Sequence, residues 1–132
     1  MELKTEKGMV GFFDVLGYQS IIDNNKMSDA ARILSESFTR IPERVEKKLV
    51  EGLKEEASKE VYGKIRNRTN FMIISDSIVM TSSLGEIRSG LEKKTNTVQL
   101  LFFFLSASLL LHMSFDEGFP LRGAIDYGEF YV

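Results

Sequence analysis

The order of apolar and helical segments predicts a single α+β domain, in which helices cover one face of an antiparallel sheet. A near-continuous apolar run at 8–16 is typical of a central strand covered on both faces, and residues 121–127 are expected to form another strand. Two short β-prone runs, 71–74 and 78–81, flank the polar residues 75–77 and predict a tight hairpin. With the helices between them, these strands give a βαββαβ order, which is typical of the ferredoxin-like or palm-type sandwich.

The connection between the first strand and the hairpin carries several helix signals. Gly17 permits a tight turn, and a short helical stretch follows from Ile21. Ser28 is the expected N-cap of a second helix, and Pro42 fits the first turn of a third. The third helix has one apolar stripe that recurs every four residues and therefore faces protein, at Val45, Leu49, Leu53, Ala57 and Val61.

The second half of the chain predicts a connection, a long helix and a strand. Residues 84–96 are polar and contain glycine, which favours a connection. An apolar helix is expected over about 95–115, and residues 118–120, Gly-Phe-Pro, should end it. Gly128 is expected to turn the chain after the strand at 121–127, and the sequence then ends inside a further extended segment.

Composition limits the classes of protein that the chain can belong to. With 132 residues, 43% of them hydrophobic, the chain suffices for one core, so 1–132 is expected to be one domain. A net charge of -2 gives no general affinity for nucleic acid, and none is expected as a partner. The absence of cysteine excludes disulfides and thiolate metal sites, and one histidine excludes a His-rich zinc site. The N-terminus lacks a signal-peptide segment, so a cytoplasmic location is expected.

The apolar run at 98–113 raises the question of a membrane span. It is shorter than the about 20 residues that a bilayer core requires, and it contains Gln99, two serines and His112. A helix buried on most sides of a soluble domain is equally apolar around its circumference. We therefore predict a buried helix and no membrane in this segment, with a transmembrane span as the alternative.

Two aspartates stand out because each lies beside apolar strand residues. Asp14 lies within the first apolar run, where an unpaired buried charge costs more than the about 1.5–3 kcal/mol gained from a large apolar side chain. Asp76 lies at the hairpin tip, which the predicted topology places near the end of the first strand. Two carboxylates about 4 Å apart repel by roughly 4 kcal/mol at an effective dielectric constant of 20. Their convergence predicts a cation or a shared proton between them.

Carboxylate oxygens are ligands that Mg²⁺ and Mn²⁺ prefer, and Mg²⁺ commonly uses one or two of them together with substrate phosphates. The expected ligand is therefore a nucleoside triphosphate. Beside Asp14, the turn formed by Val15, Leu16, Gly17 and Tyr18 presents backbone amides that can face phosphate oxygens. Taken separately, Asp14 as a turn or capping residue and Asp76 as an ordinary hairpin residue remain alternatives.

Three motifs resemble the class III nucleotide cyclases. Residues 13–18, Phe-Asp-Val-Leu-Gly-Tyr, resemble their metal-binding first-strand motif, and Asp76 is placed where the family has its second metal-binding aspartate. Residues 121–128 are similar to the family's fourth strand. The resemblance implies that Asp14 and Asp76 hold two divalent ions, Mg²⁺ or Mn²⁺, with help from the carbonyl of Val15. It also implies a homodimer that converts a nucleoside triphosphate to a 3′,5′-cyclic nucleotide and pyrophosphate.

The chain departs from the family pattern in several places. Ser75 and Ala124 replace usual glycines, and Met72 stands where many purine cyclases have a base-reading lysine. The family's transition-state arginine and asparagine follow the fourth strand, so we expect a domain truncated there and inactive alone. Arg122 is expected to form a structural ion pair. The alternative functions are a non-catalytic nucleotide-sensing or dimerisation domain of the same fold, and a structural oligomerisation domain built on the apolar helix.

Overall fold

The fold consists of four strands and four α-helices within the residues that the structure describes. The structure is a computed structural model, and it describes residues 3–52, 63, 69–85 and 90–131. The elements in chain order are β1 (Thr5–Val15), α1 (Tyr18–Asn24), α2 (Met27–Glu36), a 3₁₀ turn (Phe38–Arg40), α3 (Ile41–Glu51), β2 (Thr69–Ile74), β3 (Ser77–Ser83), α4 (Gly90–Asp116) and β4 (Leu121–Tyr131).

The strands form one antiparallel sheet in the order β2-β3-β1-β4. β1 therefore lies between β3 and β4, as its apolar composition predicted. Of the three pairings, β2–β3 joins strands that are consecutive in sequence. The pairings β3–β1 and β1–β4 do not, because helical connections carry the chain from β1 to β2 and from β3 to β4. This is the ferredoxin-like order, and the predicted α+β class is confirmed.

The core lies on the helix-covered face of the sheet. Alternate residues of β1 point to this face, and Phe13 and Val15 are 3% and 4% exposed. Phe12, which precedes Phe13 and lies on the opposite face of β1, is 51% exposed. The described residues thus cover one face of β1, and the expectation of cover on both faces is wrong for them. The core cluster consists of Met9, Phe13, Val15, Phe38, Ile41, Val45, Leu49, Ile78, Met80, Phe103, Ala107, Leu110 and Phe119.

The helices follow the predicted pattern with two corrections. Pro42 lies in the first turn of α3, and Val45 and Leu49 are buried as expected, whereas Leu53, Ala57 and Val61 lie outside the described residues. Ser28 is not an N-cap, because α2 already begins at Met27.

The connection expected at 84–96 is also shorter than predicted. α4 begins at Gly90, so residues 90–96 are helical. The side chain of Asn96 bonds both backbone groups of Gly85, at 3.2 Å and 2.7 Å. This pairing fastens the first turns of α4 to the chain that leaves β3.

The C-terminus of α4 is closed by a backbone motif around Gly118. Gly118 has a φ of 86°, its amide donates to the carbonyl of Phe115 at 3.0 Å, and the amide of Phe119 donates to that of Ser114 at 2.7 Å. These two bonds define a Schellman motif, which satisfies carbonyls that the helix end leaves unpaired. The buried ring of Phe119 then packs against Phe38, with centroids 5.7 Å apart. The predicted helix end at residues 118–120 is confirmed.

The strand after α4 is longer than predicted. Gly128 does not turn the chain, because β4 continues to Tyr131. The first residues of β1 provide the reason, since Gly8 pairs with Gly128 and Thr5 pairs with Tyr131. β1 itself begins at Thr5, earlier than the predicted residue 8. A run of ladder hydrogen bonds therefore outweighs the local turn preference of one glycine.

α4 contains a stretch, Lys93–Asp116, that is long and apolar enough to cross a membrane by length and composition. In this fold the helix packs against the sheet, and Phe103 and Leu110 on its inner side are fully buried. Only 33% of the apolar window is buried, however. The outer side of the helix is therefore uncovered in the described part of the chain, and the expectation of a helix buried on most sides is wrong.

Gly123 in β4 allows the close approach of β1. A Cβ atom at this position would overlap the carbonyl oxygen of Phe12 and the ring of Phe13. We expect Gly123→Ala to lower the free energy of unfolding by about 1–3 kcal/mol, since the two strands must move apart. Urea denaturation followed by circular dichroism measures the change. Gly128→Ala is the matched control in the same strand, because its Cβ would meet no atom within 4 Å. Equal destabilisation by both variants would contradict the prediction.

Candidate functional site

The end of β1, the β2–β3 hairpin and the start of β4 are joined by backbone hydrogen bonds. The amide of Val15 donates to the carbonyl of Asp76 at 3.0 Å, and the amide of Leu16 donates to the carbonyl of Pro120 at 2.8 Å. We call this arrangement the strand-end junction. Asp14 lies immediately before it and is the register partner of Ser77. The backbones that carry Asp14 and Asp76 thus meet, as the topology predicted.

The hairpin tip is a two-residue loop formed by Ser75 and Asp76, with Ser77 already the first residue of β3. Ser75 has a φ of 56°. This is the left-handed region, in which a residue with a Cβ is strained and glycine is favoured. The glycine that the cyclase motif has at this place is therefore the residue that the geometry favours. Asp76 follows with a half-buried side chain.

Asp14 is paired with a cation on the neighbouring strand. Nε of Arg122 donates to both carboxylate oxygens of Asp14, at 3.1 Å and 3.2 Å. The two residues are register partners in β1 and β4. The side chain of Asp14 is 27% exposed and that of Arg122 is 70% exposed. The hydrogen bond with Asp14, together with its negative charge, raises the pKa of Arg122 above its usual value. The expected ion pair of Arg122 is confirmed.

Two of the four amides that were predicted to face phosphate are already used. The amides of Val15 and Leu16 donate to carbonyls within the strand-end junction, so neither hydrogen is available to a ligand. Their role is to hold three segments together. Gly17 has a φ of 76° and precedes α1, which begins at Tyr18. Of the four amides, those of Gly17 and Tyr18 therefore remain predicted phosphate contacts.

The oxygen donors at this place fit a metal ion that arrives with phosphate. The described residues contain no group of three or more His, Cys, Asp or Glu side chains that could hold an ion. The donors are the carboxylates of Asp14 and Asp76 and the carbonyl of Val15, all of them hard oxygens. Because Mg²⁺ takes one or two carboxylates and completes its shell with phosphate and water, this set suits a metal–nucleotide complex. It does not suit a permanent cage made by protein alone.

The uncovered face of the sheet places a charged row beside an apolar row. In the register of the strands, Ile74, Ser77, Asp14 and Arg122 form the first row, and Met72, Val79, Phe12 and Ala124 form the second. Rows on one face are about 6.6–6.8 Å apart along a strand. Phe12, Met72 and Ile74 are 51%, 58% and 54% exposed. A ligand with an anionic end and a flat apolar end could contact both rows.

Comparison with known proteins gives a likeness of fold and no family. No protein-family model matches the chain, and no curated protein matches it significantly. The chain is similar to the crystal structure of the adenylyl cyclase CyaB from P. aeruginosa, with 12% identity and a TM-score of 0.47. The similarity covers 100% of this chain and 61% of that one, so the chain spans about three fifths of its length. At this identity and TM-score, the likeness carries no argument about function.

Arg122 competes with any cation for the oxygens of Asp14. We expect Arg122→Gln to raise the affinity for Mn²⁺ by up to about tenfold. The gain is limited because an exposed ion pair contributes little free energy, and the gain in metal binding cannot exceed the free energy of the broken pair. The loss of the free-Mn²⁺ signal in electron paramagnetic resonance measures binding. Arg32→Gln is the control, since Arg32 forms a comparable exposed pair with Asp29 at 3.8 Å on α2. A weaker Mn²⁺ affinity in the Arg122 variant would mean that Arg122 orients Asp14 for the metal.

Proposed function

We propose that the chain is the metal- and nucleotide-binding part of a cytoplasmic domain resembling the class III nucleotide cyclases. Its substrate is a nucleoside triphosphate, and the product made by the full-length protein is a 3′,5′-cyclic nucleotide. The single observation that carries the proposal is the strand-end junction, in which the amide of Val15 donates to the carbonyl of Asp76 and so joins the segments of Asp14 and Asp76. The contact extends the β1–β3 pairing by one residue beyond the Asp14–Ser77 pair.

Asp14 and Asp76 are the proposed metal ligands, with the carbonyl of Val15 assisting. Two bound ions, Mg²⁺ or Mn²⁺, would neutralise the triphosphate and stabilise the leaving pyrophosphate. If Asp14 held a cation, the guanidinium of Arg122 would lose its partner on the neighbouring strand. Arginine binds phosphate through paired donors, so Arg122 can then contact the triphosphate. In this proposal its role is to hold substrate.

The apolar row offers a place for the base. Phe12 supplies an exposed aromatic ring, and Met72 lies across Val79 on the same row. If a nucleotide base stacked on these side chains, the phosphates of that nucleotide would extend toward Asp14. Met72 has no strong hydrogen-bonding group with which to read base edges. Selection between purines therefore depends on residues other than these.

The residues proposed for this site bind metal and nucleotide, and none of them is assigned the family's transition-state role. Turnover is proposed for a homodimer of the full-length protein. A second candidate is nucleotide sensing without catalysis. It is favoured by the Arg122–Asp14 pair, which neutralises one proposed metal ligand without any metal.

The test is a titration of the chain with fluorescent analogues of each nucleoside triphosphate, with Mn²⁺ and then with excess chelator. We expect saturable binding that needs the metal and that unlabelled triphosphate reverses. Chromatography of reaction mixtures of the full-length protein detects cyclic product. Binding without product in the full-length protein supports sensing. Absence of metal-dependent binding for every nucleotide would overturn the proposal.

A further inference from the structure

α4 has two apolar sides, and only one of them faces the core. Phe103 and Leu110 on the inner side are fully buried. On the outer side, large apolar residues form two groups on one face of the helix, 101–105 and 111–115, with spacings of three or four positions inside each group. The exposed Ser108 lies between the two groups on the same face. We call the apolar residues of the two groups the α4 outer stripe, and its members and exposed fractions are Leu101 67%, Phe104 47%, Leu105 52%, Leu111 39% and Phe115 70%.

The stripe is large for the surface of a monomer. At about 200 Å² for each large side chain, half exposure of its members leaves about 500 Å² of apolar surface in contact with water. Contiguous patches of this size are uncommon on monomeric proteins and commonly mark contact sites. Burying the same stripe on two molecules would remove about 1,000 Å² in total, which is the lower bound for a specific interface.

The charges at the two ends of the stripe have opposite sign. Lys94 is exposed and extends the stripe toward the N-terminus of α4, next to the equally exposed Lys93. At the other end, the exposed Asp116 follows Phe115 and pairs with His112 at 3.2 Å. Two copies of α4 that pack antiparallel would bring the basic end of each helix toward the acidic end of the other. Parallel packing would oppose like charges.

We propose that the α4 outer stripe is the interface between two copies of this chain, packed as antiparallel helices about a two-fold axis. Such an interface is self-complementary, since the N-terminal half of the stripe on one copy contacts the C-terminal half of the stripe on the other copy. Its small area makes the dimer weak and reversible. A membrane surface is the disfavoured occupant, because interfacial helices are rich in basic residues on their polar face and this helix ends in acids.

The stripe lies on the helix side of the sheet, whereas Asp14 and Arg122 lie on the uncovered face. The dimer therefore leaves the candidate nucleotide site accessible. Association through the stripe requires neither metal nor nucleotide. Variants of the stripe should retain the nucleotide binding of the unmodified chain, so failure of one proposal is distinguishable from failure of the other.

Sedimentation velocity over a range of concentrations tests the interface. The unmodified chain should sediment faster as concentration rises. Combined Leu101→Gln and Leu105→Gln should lower the association constant more than about 100-fold, because each dimer loses four buried leucines. The matched control is Met27→Gln on α2, which removes a side chain that is 85% exposed and outside the stripe. Circular dichroism checks that each variant is folded. A monomer at all concentrations would overturn the proposal.

A charge exchange tests the antiparallel orientation. Lys94→Glu alone and Asp116→Lys alone should each weaken association several-fold, and the double variant should restore it. Failure of the double variant to recover would overturn the antiparallel arrangement. Flotation with vesicles of neutral and anionic lipid provides the remaining comparison, and vesicle binding by a chain that stays monomeric would overturn the dimer in favour of a membrane surface.

Discussion

Replacement of Asp14 by asparagine is expected to lower metal-dependent nucleotide affinity about 100-fold while leaving the fold intact. The change keeps the size of the side chain and one oxygen that can accept from Arg122, but it removes the negative charge. Asp14 and Asp76 would hold the metal through their carboxylates, so the loss of one carboxylate would remove a ligand and also its charge. Asp76→Asn should have an effect of similar size.

The titration with fluorescent nucleotide and Mn²⁺ measures this effect, and chemical denaturation checks stability. Asp126→Asn is the matched control, since Asp126 lies in the same strand and on the same sheet face as Arg122 but pairs with Val10 instead of Asp14. Its affinity should be unchanged. If all three variants bind nucleotide equally well, neither Asp14 nor Asp76 holds the metal.

Replacement of Phe103 by alanine is expected to lower the free energy of unfolding by about 3–5 kcal/mol. Phe103 is fully buried on the inner side of α4 and belongs to the core cluster. Its removal leaves a cavity between the helix and β1, which the packed surroundings fill only in part. Since small domains are stable by about 5–15 kcal/mol, the loss is a large fraction of the total.

Phe104→Ala is the control for this prediction, because it makes the same change one residue further along the helix. Phe104 is 47% exposed, although its ring makes an edge contact with Phe103 at a centroid distance of 6.0 Å. We expect a loss of about 1 kcal/mol, mainly from that aromatic contact. Urea denaturation at a concentration where the chain is monomeric gives both values. Similar losses for the two variants would contradict the assignment of inner and outer sides.

Most of the fold was predictable because local patterns and global topology agree. The hairpin around residues 75–77, the long apolar helix and its end at Gly118 follow from composition and turn residues. Two of the errors share a cause, which is contact between segments distant in sequence. β4 runs through Gly128 because Gly8 is opposite, and α4 begins early where Asn96 bonds Gly85. A single sequence without alignment does not contain that register.

The candidate site was predictable in its location and less so in its details. The topology alone was enough to expect the segments of Asp14 and Asp76 to meet. The partner of Arg122 required the β1–β4 register, which pairs it with Asp14. The amides of Val15 and Leu16 were expected to face a ligand, and only the three-dimensional contact shows that they bond the hairpin and Pro120. The sequence did not predict the exposed apolar row of Phe12 and Met72, because β1 is apolar on both faces and its pattern does not show which face is uncovered.

The strand-end junction has a consequence for any substitution at the site. Its hydrogen bonds use backbone atoms of Val15, Leu16, Asp76 and Pro120, so they do not depend on which side chains occupy positions 14 and 76. The framework and the chemistry are therefore separable. A chain that exchanged both aspartates for other residues would keep the same two positions side by side. Such a chain could lose its reaction and still retain a place where a ligand binds.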